Sequence, residues 1–410
     1  MDTDAVTVDQ DLLGTYIEEL GAIGETPDGM YRFMYDDAWQ RARDTLLAWI
    51  REAGLEARVD AVGNVFGRLP GRSDRVVLTG SHVDTVPSGG KYDGALGVVG
   101  GLAALAALRA AGGTPERTVE VVALCEEESS RFTGNFFGTR AMLGLVAADE
   151  PDRLRDRDGV LLADAMRQAG LDPAAVASAE RSDLDAFLEL HIEQGRVLAD
   201  EGVDIGLVEV IPAITWQTIT VRGRQDHAGA TPMDLRQDAF QAAAQMARDL
   251  TVLIEREGRP AVATTGRWTV EPGQPSIVPG LARFSLDLRH PDRSVRDRLV
   301  AGVGEICTSV AARWGVTVDI ATDKDEEPAT MDAGLLELCR SAAEDCGASW
   351  RRMPSGAGHD SQLMATRVPT AMVFVPSVEG LSHTPDEFST LEDCTRGASV
   401  LATALHRLAY

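Results

Sequence analysis

His82-Val83-Asp84, with Asp93 a short distance on, holds the side chains of this sequence best suited to chemistry. His191, Glu128 and His383 add more imidazole and carboxylate groups, the donor types that bind divalent cations. A buried carboxylate such as Asp93 can bridge two cations about 3.5–4 Å apart, the spacing at which both act on one water. Zinc, manganese, cobalt and nickel all suit a histidine and carboxylate set without thiolate, and affinity order does not choose among them. Asp84, two residues from His82, is expected to sit behind the ligands, orient the imidazole and raise its basicity.

These residues need elements to position them, and the apolar runs supply candidates. Val76–Thr79 and Val119–Leu124 are expected strands, separated by the Ala/Leu/Gly stretch Leu96–Leu108, an expected crossover helix. Ala186–Leu190 and Thr370–Val375 are expected buried strands of the same sheet. His82, the triplet Glu126-Glu127-Glu128, His191 and His383 all follow such runs, at the strand ends where open α/β sheets carry their ligand sites. Asp93 lies in the glycine-rich turn Gly89-Gly90-Lys91-Tyr92-Asp93-Gly94. One such histidine is commonly just a satisfied polar residue, and an acidic triplet is commonly a solvated face. Five positions converging on one sheet edge argue for metal.

The fold class expected is therefore α/β, with a mostly parallel catalytic sheet. Helix Asp37–Ala53 opens it. Between the sheet's distant strands lies a strand at Trp216–Arg222, a helix at Arg236–Glu257, strands at Val262–Val270 and Ala282–Arg289, a helix at Ser294–Trp314 and a strand at Val316–Ala321. That order is β-α-β-β-α-β, a ferredoxin-like unit. The expected division is residues 1–211 with 328–410 for the metal domain and 212–327 for an inserted α+β domain.

Composition narrows the function. The net charge is −25, from 64 acidic and 39 basic residues, a surface that repels phosphate backbones, so no nucleic-acid partner is expected. Lys91 and Lys324 are the sole lysines, a bias that fits a high-salt cytoplasm or an arginine-rich coding sequence. Five cysteines without a CxxC pair indicate neither a disulfide framework nor a thiolate zinc site, and a reducing cytoplasm is expected. The start, MDTDAVTVDQDLL, lacks the basic and apolar segments of a signal peptide. Leu96–Leu108 is shorter than the ~18 residues of a membrane span, so no membrane partner is expected. Neither GxGxxG nor GxxxxGK[ST] occurs among the glycines after Gly89, and Ser81 lies outside any GxSxG elbow.

The segments GSHVDTVPSGGKYDG, EEESSRF, LHIEQG, HAGATPM, SGAGHD and GLSHTPDEF resemble the amidase/hydantoinase/carbamoylase branch of the M20 metallopeptidase-like hydrolases. The resemblance spans nearly the whole chain. GMYRFMY, VGNVFGRLPG and the run from DEEPATM to SHTPDEF are similar to allantoate amidohydrolases, and N-carbamoyl-L-amino acid hydrolases and β-ureidopropionases are similar as well. The resemblance implies two divalent metal ions, one held by His82, Asp93 and His191 and the other by Asp93, Glu128 and His383. It implies Glu127 as general base, although the glutamate triplet leaves a one-place register open. It also implies His227 of HAGATPM as an oxyanion donor, Arg289 as the arginine that grips a substrate carboxylate, Gln194 and His359 as polar contacts near the metals, and a homodimer.

The chemistry that follows is hydrolysis of a linear ureido or amide C–N bond in a small carboxylate substrate, with Glu127 moving the proton from water to the departing nitrogen. The alternative for His227 is a helix cap near Arg236, and for Arg289 an ion pair with Asp287 or Asp292. The chain departs from the family pattern at Ser276, where asparagine is usual, at Ile214, where allantoate-type members carry glutamine, and at Ser129, where glycine is usual. The first two remove polar donors from the expected substrate pocket, each worth about 1.5–3 kcal/mol to a charged group. Allantoate is the first substrate expected. The alternative is an N-carbamoyl or N-acyl amino acid with an apolar side chain, and a non-catalytic binding protein is the remote one.

Overall fold

The computed structural model describes residues 5–410; the first residues of the acidic N-terminal stretch lie outside the described residues. The chain forms two compact units, Met1–Glu209 with Thr330–Tyr410, and Val210–Ala329.

Among the described residues, the first unit is built on a nine-stranded sheet. At its centre Thr370–Val375, Leu184–Ile192, Ser73–His82 and Arg117–Leu124 lie side by side and parallel. Their residues are almost wholly buried, as parallel strands covered on both faces must be. Helices Ala95–Ala111 and Leu391–Ala409 pack together over one face. On the other, Phe187, Val76, Leu78 and Val122 meet Met142 and Met364. The antiparallel flanks have no counterpart in the expected parallel set: Val65–Leu69 and Glu56–Val59 on one side, Ile205–Ile211 on the other. Val65–Leu69 carries Gly67 and Arg68 inside a short apolar run, so its pattern alone is weak.

The expected crossover helix is real and longer, Ala95–Ala111. Its glycines are there for approach. A Cβ on Gly97 would stand 2.4 Å from the Leu190 carbonyl oxygen and 2.7 Å from Ser81 Cβ, so the helix backbone rests directly on the two strands that carry His82 and His191.

The second unit is a five-stranded antiparallel sheet with helices Ala239–Glu257 and Arg293–Trp314 against it. Ile219, Val221, Phe284, Leu286 and Leu288 from the strands meet Met246, Leu250, Leu299 and Val303 from the helices. Four expected boundaries move, the first strand beginning at Ala213, not Trp216. The first helix begins at Ala239, not Arg236, because the Asp238 carboxylate caps the N–H groups of Phe240 and Gln241. The single strand expected over Val262–Val270 is two, Val262–Thr264 and Trp268–Glu271. Both pair with Leu281–His290, but from Thr264↔Asp287 to Trp268↔Phe284 the first segment advances one residue further than its partner, a bulge at Gly266. The last strand runs on to Glu326, through charges expected to end it. Lys324 lies over the Trp216 ring at 4.8 Å and pairs with Glu326 at 2.9 Å; the ladder shifts register between Thr322 and Lys324 and then resumes to Glu326.

Gly97→Ala is expected to destabilise the first unit by about 1–3 kcal/mol, since neither contact is a flexible side-chain end that can swing away. Urea unfolding measures it, and an unchanged midpoint would contradict the close seating of this helix.

Candidate metal centre

His82 closes strand Ser73–His82 and His191 lies near the end of strand Leu184–Ile192, so the sheet delivers two buried imidazoles to one edge. The His82 Nδ1 is 3.0 Å from the Asp84 backbone carbonyl, and the His191 Nδ1 is 2.9 Å from that of Ile192. A ring that donates through Nδ1 presents a lone pair at Nε2. Both Nε2 atoms face Asp93 Oδ1, at 3.7 Å from His82 and 3.2 Å from His191. Gly94 makes this approach possible. Its φ is +63°, and a Cβ there would lie 2.4 Å from the His82 ring.

The other Asp93 oxygen, Oδ2, lies 3.3 Å from His383 Nε2, which is 3.4 Å from Glu128 Oε1. Glu127 Oε2 lies 3.9 Å from His82 Nε2. Among the described residues, four groups of donor atoms lie within 4.8 Å of one another: His82, Asp93 and His191; Asp93, Glu128 and His383; His82, Glu127 and Glu128; and, behind the Asp93 cluster, Glu189, His191 and His359. Glu126 stands apart from them. It is fully buried and its Oε1 accepts the N–H groups of Arg131 and Phe132, at 3.1 and 2.9 Å.

These separations fit cations. Two ligands at ~2.0–2.2 Å from a tetrahedral metal stand about 3.3–3.6 Å apart, and the donors here are 3.2–3.9 Å apart. Among the described residues no lysine or arginine pairs with Asp93, Glu127 or Glu128. Protons do the neutralising in their place. Burial, then the charges of Glu128 and Asp360, push the Glu127 carboxyl well above its ordinary range. Burial works against a charged His82, yet Asp84, Asp93 and Glu128 raise it to about 9. Hydrogen bonds with Asp93 and Glu128 raise His383 to about 10. Burial raises Asp93, but its bonds with His191 and His383 prevail and hold it well below the usual carboxylate range.

Asp84 acts through different atoms from those expected. Its carbonyl, not its carboxylate, takes the His82 Nδ1 hydrogen bond; the carboxylate accepts the backbone N–H groups of Glu127 and Glu128, at 3.2 and 3.0 Å. The loop holding the two glutamates is thus hung from the residue that also fixes His82.

Gln194 donates to Asp93 Oδ2 at 2.8 Å, and its own Oε1 is buried without a hydrogen-bond partner. His359 is buried edge-on to His191, ring centroids 4.5 Å apart, with Nε2 2.9 Å from Ser355 Oγ. In the second unit His227 is exposed, and its Nδ1 accepts the N–H groups of Gly229 and Ala230, at 3.0 and 3.1 Å, which leaves Nε2 as the donor. It caps its own turn, not the helix at Ala239. Ser276 is its neighbour, accepting Ala228 N–H through its carbonyl at 2.9 Å. Arg289 pairs with Asp287 at 2.8 Å and lies opposite the buried Ile214 in the ladder.

Several residues at the first unit's site carried no role in the sequence. Glu189, buried in the strand before His191, takes Ser81 and Ser361 hydroxyls at 2.7 and 2.6 Å. Asp360 is buried, with one oxygen lacking a partner, and burial pushes it up to about 7. Fully buried Arg32 donates to the carbonyls of Leu20 and Ile23, at 2.9 Å each, and to that of Val83. A carboxylate inside an apolar strand (Leu188-Glu189-Leu190) and an arginine inside GMYRFMY were the available signals.

An α/β sheet whose strand ends gather imidazoles and carboxylates around a shared aspartate is that of a metal-dependent hydrolase. Residues 78–407 match the model of peptidase family M20/M25/M40, and the chain belongs to that family. It is 37% identical to the allantoate amidohydrolase of Bacillus subtilis, over 96% of this chain and 97% of that protein. It is 39% identical to the N-carbamoyl-L-amino-acid amidohydrolase of Paenarthrobacter aurescens, over 96% of each. The crystal structure of an amidase of the hydantoinase/carbamoylase family from Burkholderia multivorans superposes with a TM-score of 0.92 at 34% identity, covering 98% of both chains. The branch within the family is thus the hydantoinase/carbamoylase one.

Without cations His82 and His383 are protonated at neutral pH, and only neutral imidazole ligates. Metal uptake at pH 7 is therefore expected to release protons, and affinity to rise as pH climbs towards 9–10. Calorimetric titration in two buffers of different ionisation heat reads the release; an identical heat in both would contradict it.

Proposed function

We propose that this chain hydrolyses the C–N bond of an acyclic ureido carboxylate, with allantoate the first candidate. The observation that carries the reading is Asp93, one oxygen facing His82 and His191 and the other facing His383, with Glu127 beside them. In this proposal His82, Asp93 and His191 hold one divalent cation, and Asp93, Glu128 and His383 the other. Two such cations, zinc or manganese with cobalt or nickel as alternatives, supply Lewis-acid polarisation and a water acidic enough to lose its proton near neutral pH.

The chain's own groups then handle the proton and the substrate. Glu127, beside His82 at 3.9 Å, is placed to take the water proton and return it to the departing nitrogen. His227 offers Nε2–H as a donor for the oxyanion, a role supported by the two backbone N–H groups that occupy its Nδ1. Arg289 grips the substrate carboxylate, exchanging Asp287 for it. Gln194 and His359 steady the ligands Asp93 and His191, and Ser276, beside His227, borders the substrate.

Ile214 favours a second reading. It replaces a polar donor with a buried apolar side chain directly opposite Arg289, which suits an N-carbamoyl-L-amino acid with an apolar side chain. A panel of allantoate, ureidoglycolate and N-carbamoyl amino acids, assayed with manganese or zinc, separates the two. Ammonia release from allantoate is expected. Turnover of N-carbamoyl amino acids alone would replace the first reading with the second. Glu127→Gln is expected to lower kcat by about 10²–10⁴-fold while two cations still bind; an undiminished kcat would remove Glu127 from the role of base.

A lid and dimerisation role for Val210–Ala329 belongs to the same proposal. Among the described residues, six of the nine large exposed apolar side chains lie in this unit: Trp216, Met233, Leu235, Phe240, Val262 and Trp268. Strand Thr317–Glu326 stands at the end of its sheet, open to pairing. Sedimentation of the full chain is expected to give a dimer, and a monomer at micromolar concentration would refute it. No helix of the described residues is long and apolar enough to cross a membrane. A small polar substrate and a reducing compartment, supported by five free cysteines, complete the reading.

A further inference from the structure

His82 and His191 are carried by strands, but Asp93 and His383 are carried by loops almost three hundred residues apart in the chain. Loops do not hold ligands to a few tenths of an ångström unless something ties them. One buried side chain ties both. Glu387 Oε1 accepts the backbone N–H of Tyr92 and that of Asp93, at 2.9 Å each. Its Oε2 accepts the Ser382 hydroxyl at 2.8 Å, and the same hydroxyl oxygen stands 3.1 Å from Asp93 Oδ2. The Asp93 turn and the His383 loop are therefore joined through one carboxylate. Gly90 is shaped by it: a Cβ there would lie 2.3 Å from Glu387 Oε1 and 2.4 Å from its Cβ. Glu387 is just 4% exposed, and none of its oxygens is within the donor groups around Asp93.

We infer that Glu387 is a positioning residue that sets the affinity of the cation held by Asp93, Glu128 and His383 more strongly than that of the cation held by His82, Asp93 and His191, because Asp93 is shared but the His383 loop belongs to one cation alone. The selectivity follows from what else holds each ligand. His82 and His191 have the parallel ladder and the carbonyls of Asp84 and Ile192. Glu128 has the Asp84 carboxylate. His383 has a φ of +56°, a backbone state a histidine keeps just when its surroundings impose it, and Glu387 reaches it through Ser382. The inference rests on the ligand assignment proposed above.

Glu387→Gln retains a carbonyl oxygen that can accept both backbone N–H groups and an amide that can meet Ser382, so geometry survives while charge is lost. Glu387→Ala removes the ties. Ser382→Ala cuts just the link between the loops, and serves if the alanine variant at Glu387 does not fold. Metal-free wild type and the three variants are titrated with manganese and, separately, with zinc by calorimetry, and metal content is counted after dialysis. Wild type is expected to bind two cations. Ser382→Ala, which leaves the Asp93 backbone bonds in place, is expected to weaken the second about 10–100-fold with the first within about threefold; Glu387→Ala is expected to weaken the second by at least as much and the first by less, and Glu387→Gln to stay near wild type. Unchanged affinities in Ser382→Ala, equal loss of both cations, or a glutamine variant as weak as alanine would overturn the inference. A wild type that binds fewer than two cations would instead sink the ligand assignment, and the inference with it.

Discussion

The structure turns on one buried carboxylate. Asp93 presents Oδ1 to two imidazoles and Oδ2 to a third, and everything nearby serves to bring His82, His191 and His383 to within 4 Å of it. Such a concentration of carboxylates is costly in an interior, where an unpaired ion loses several kcal/mol of solvation. Raised histidines and a raised Glu127 carry the protons that make the arrangement tolerable without metal. The same energetic tension that lifts these groups is relieved when divalent charge enters.

Rigidity for that centre comes from two sources. The strands fix His82 and His191, and helix Ala95–Ala111 presses its glycine-lined backbone onto both strands. The loops are fixed by buried carboxylates that do not reach the donor groups: Asp84 suspends Glu127 and Glu128, Glu126 closes the following turn, and Glu387 gathers Asp93 and Ser382. Acidic residues thus play two parts in one small volume. The difference between them is whether their oxygens are consumed by backbone N–H groups.

That distinction marks how much the sequence revealed. The apolar runs at Val76–Thr79, Val119–Leu124 and Thr370–Val375 were legible because buried parallel strands must be continuously apolar. Val65–Leu69 was not, since Gly67 and Arg68 break its pattern and its place in the sheet comes from pairing with Arg117–Leu124. Asp238 moved a helix start by three residues, because capping is decided by which side chain meets the free N–H groups. Gly266 split one strand into two by inserting a bulge against an unbroken partner.

By itself, the sequence determined the chemical inventory: imidazoles and carboxylates at strand ends, an acidic surface, no thiolate set, and family motifs from one end of the chain to the other. Residue types and local periodicity are written in the chain, so these could be read from it. Only the tertiary structure decided which of three adjacent glutamates turns inward to bind backbone and which two face histidines, that Asp84 orients His82 through its carbonyl, and that Glu387 ties two loops together. Each of those depends on atoms brought together from far along the chain, with directions set by backbone angles that spacing does not encode.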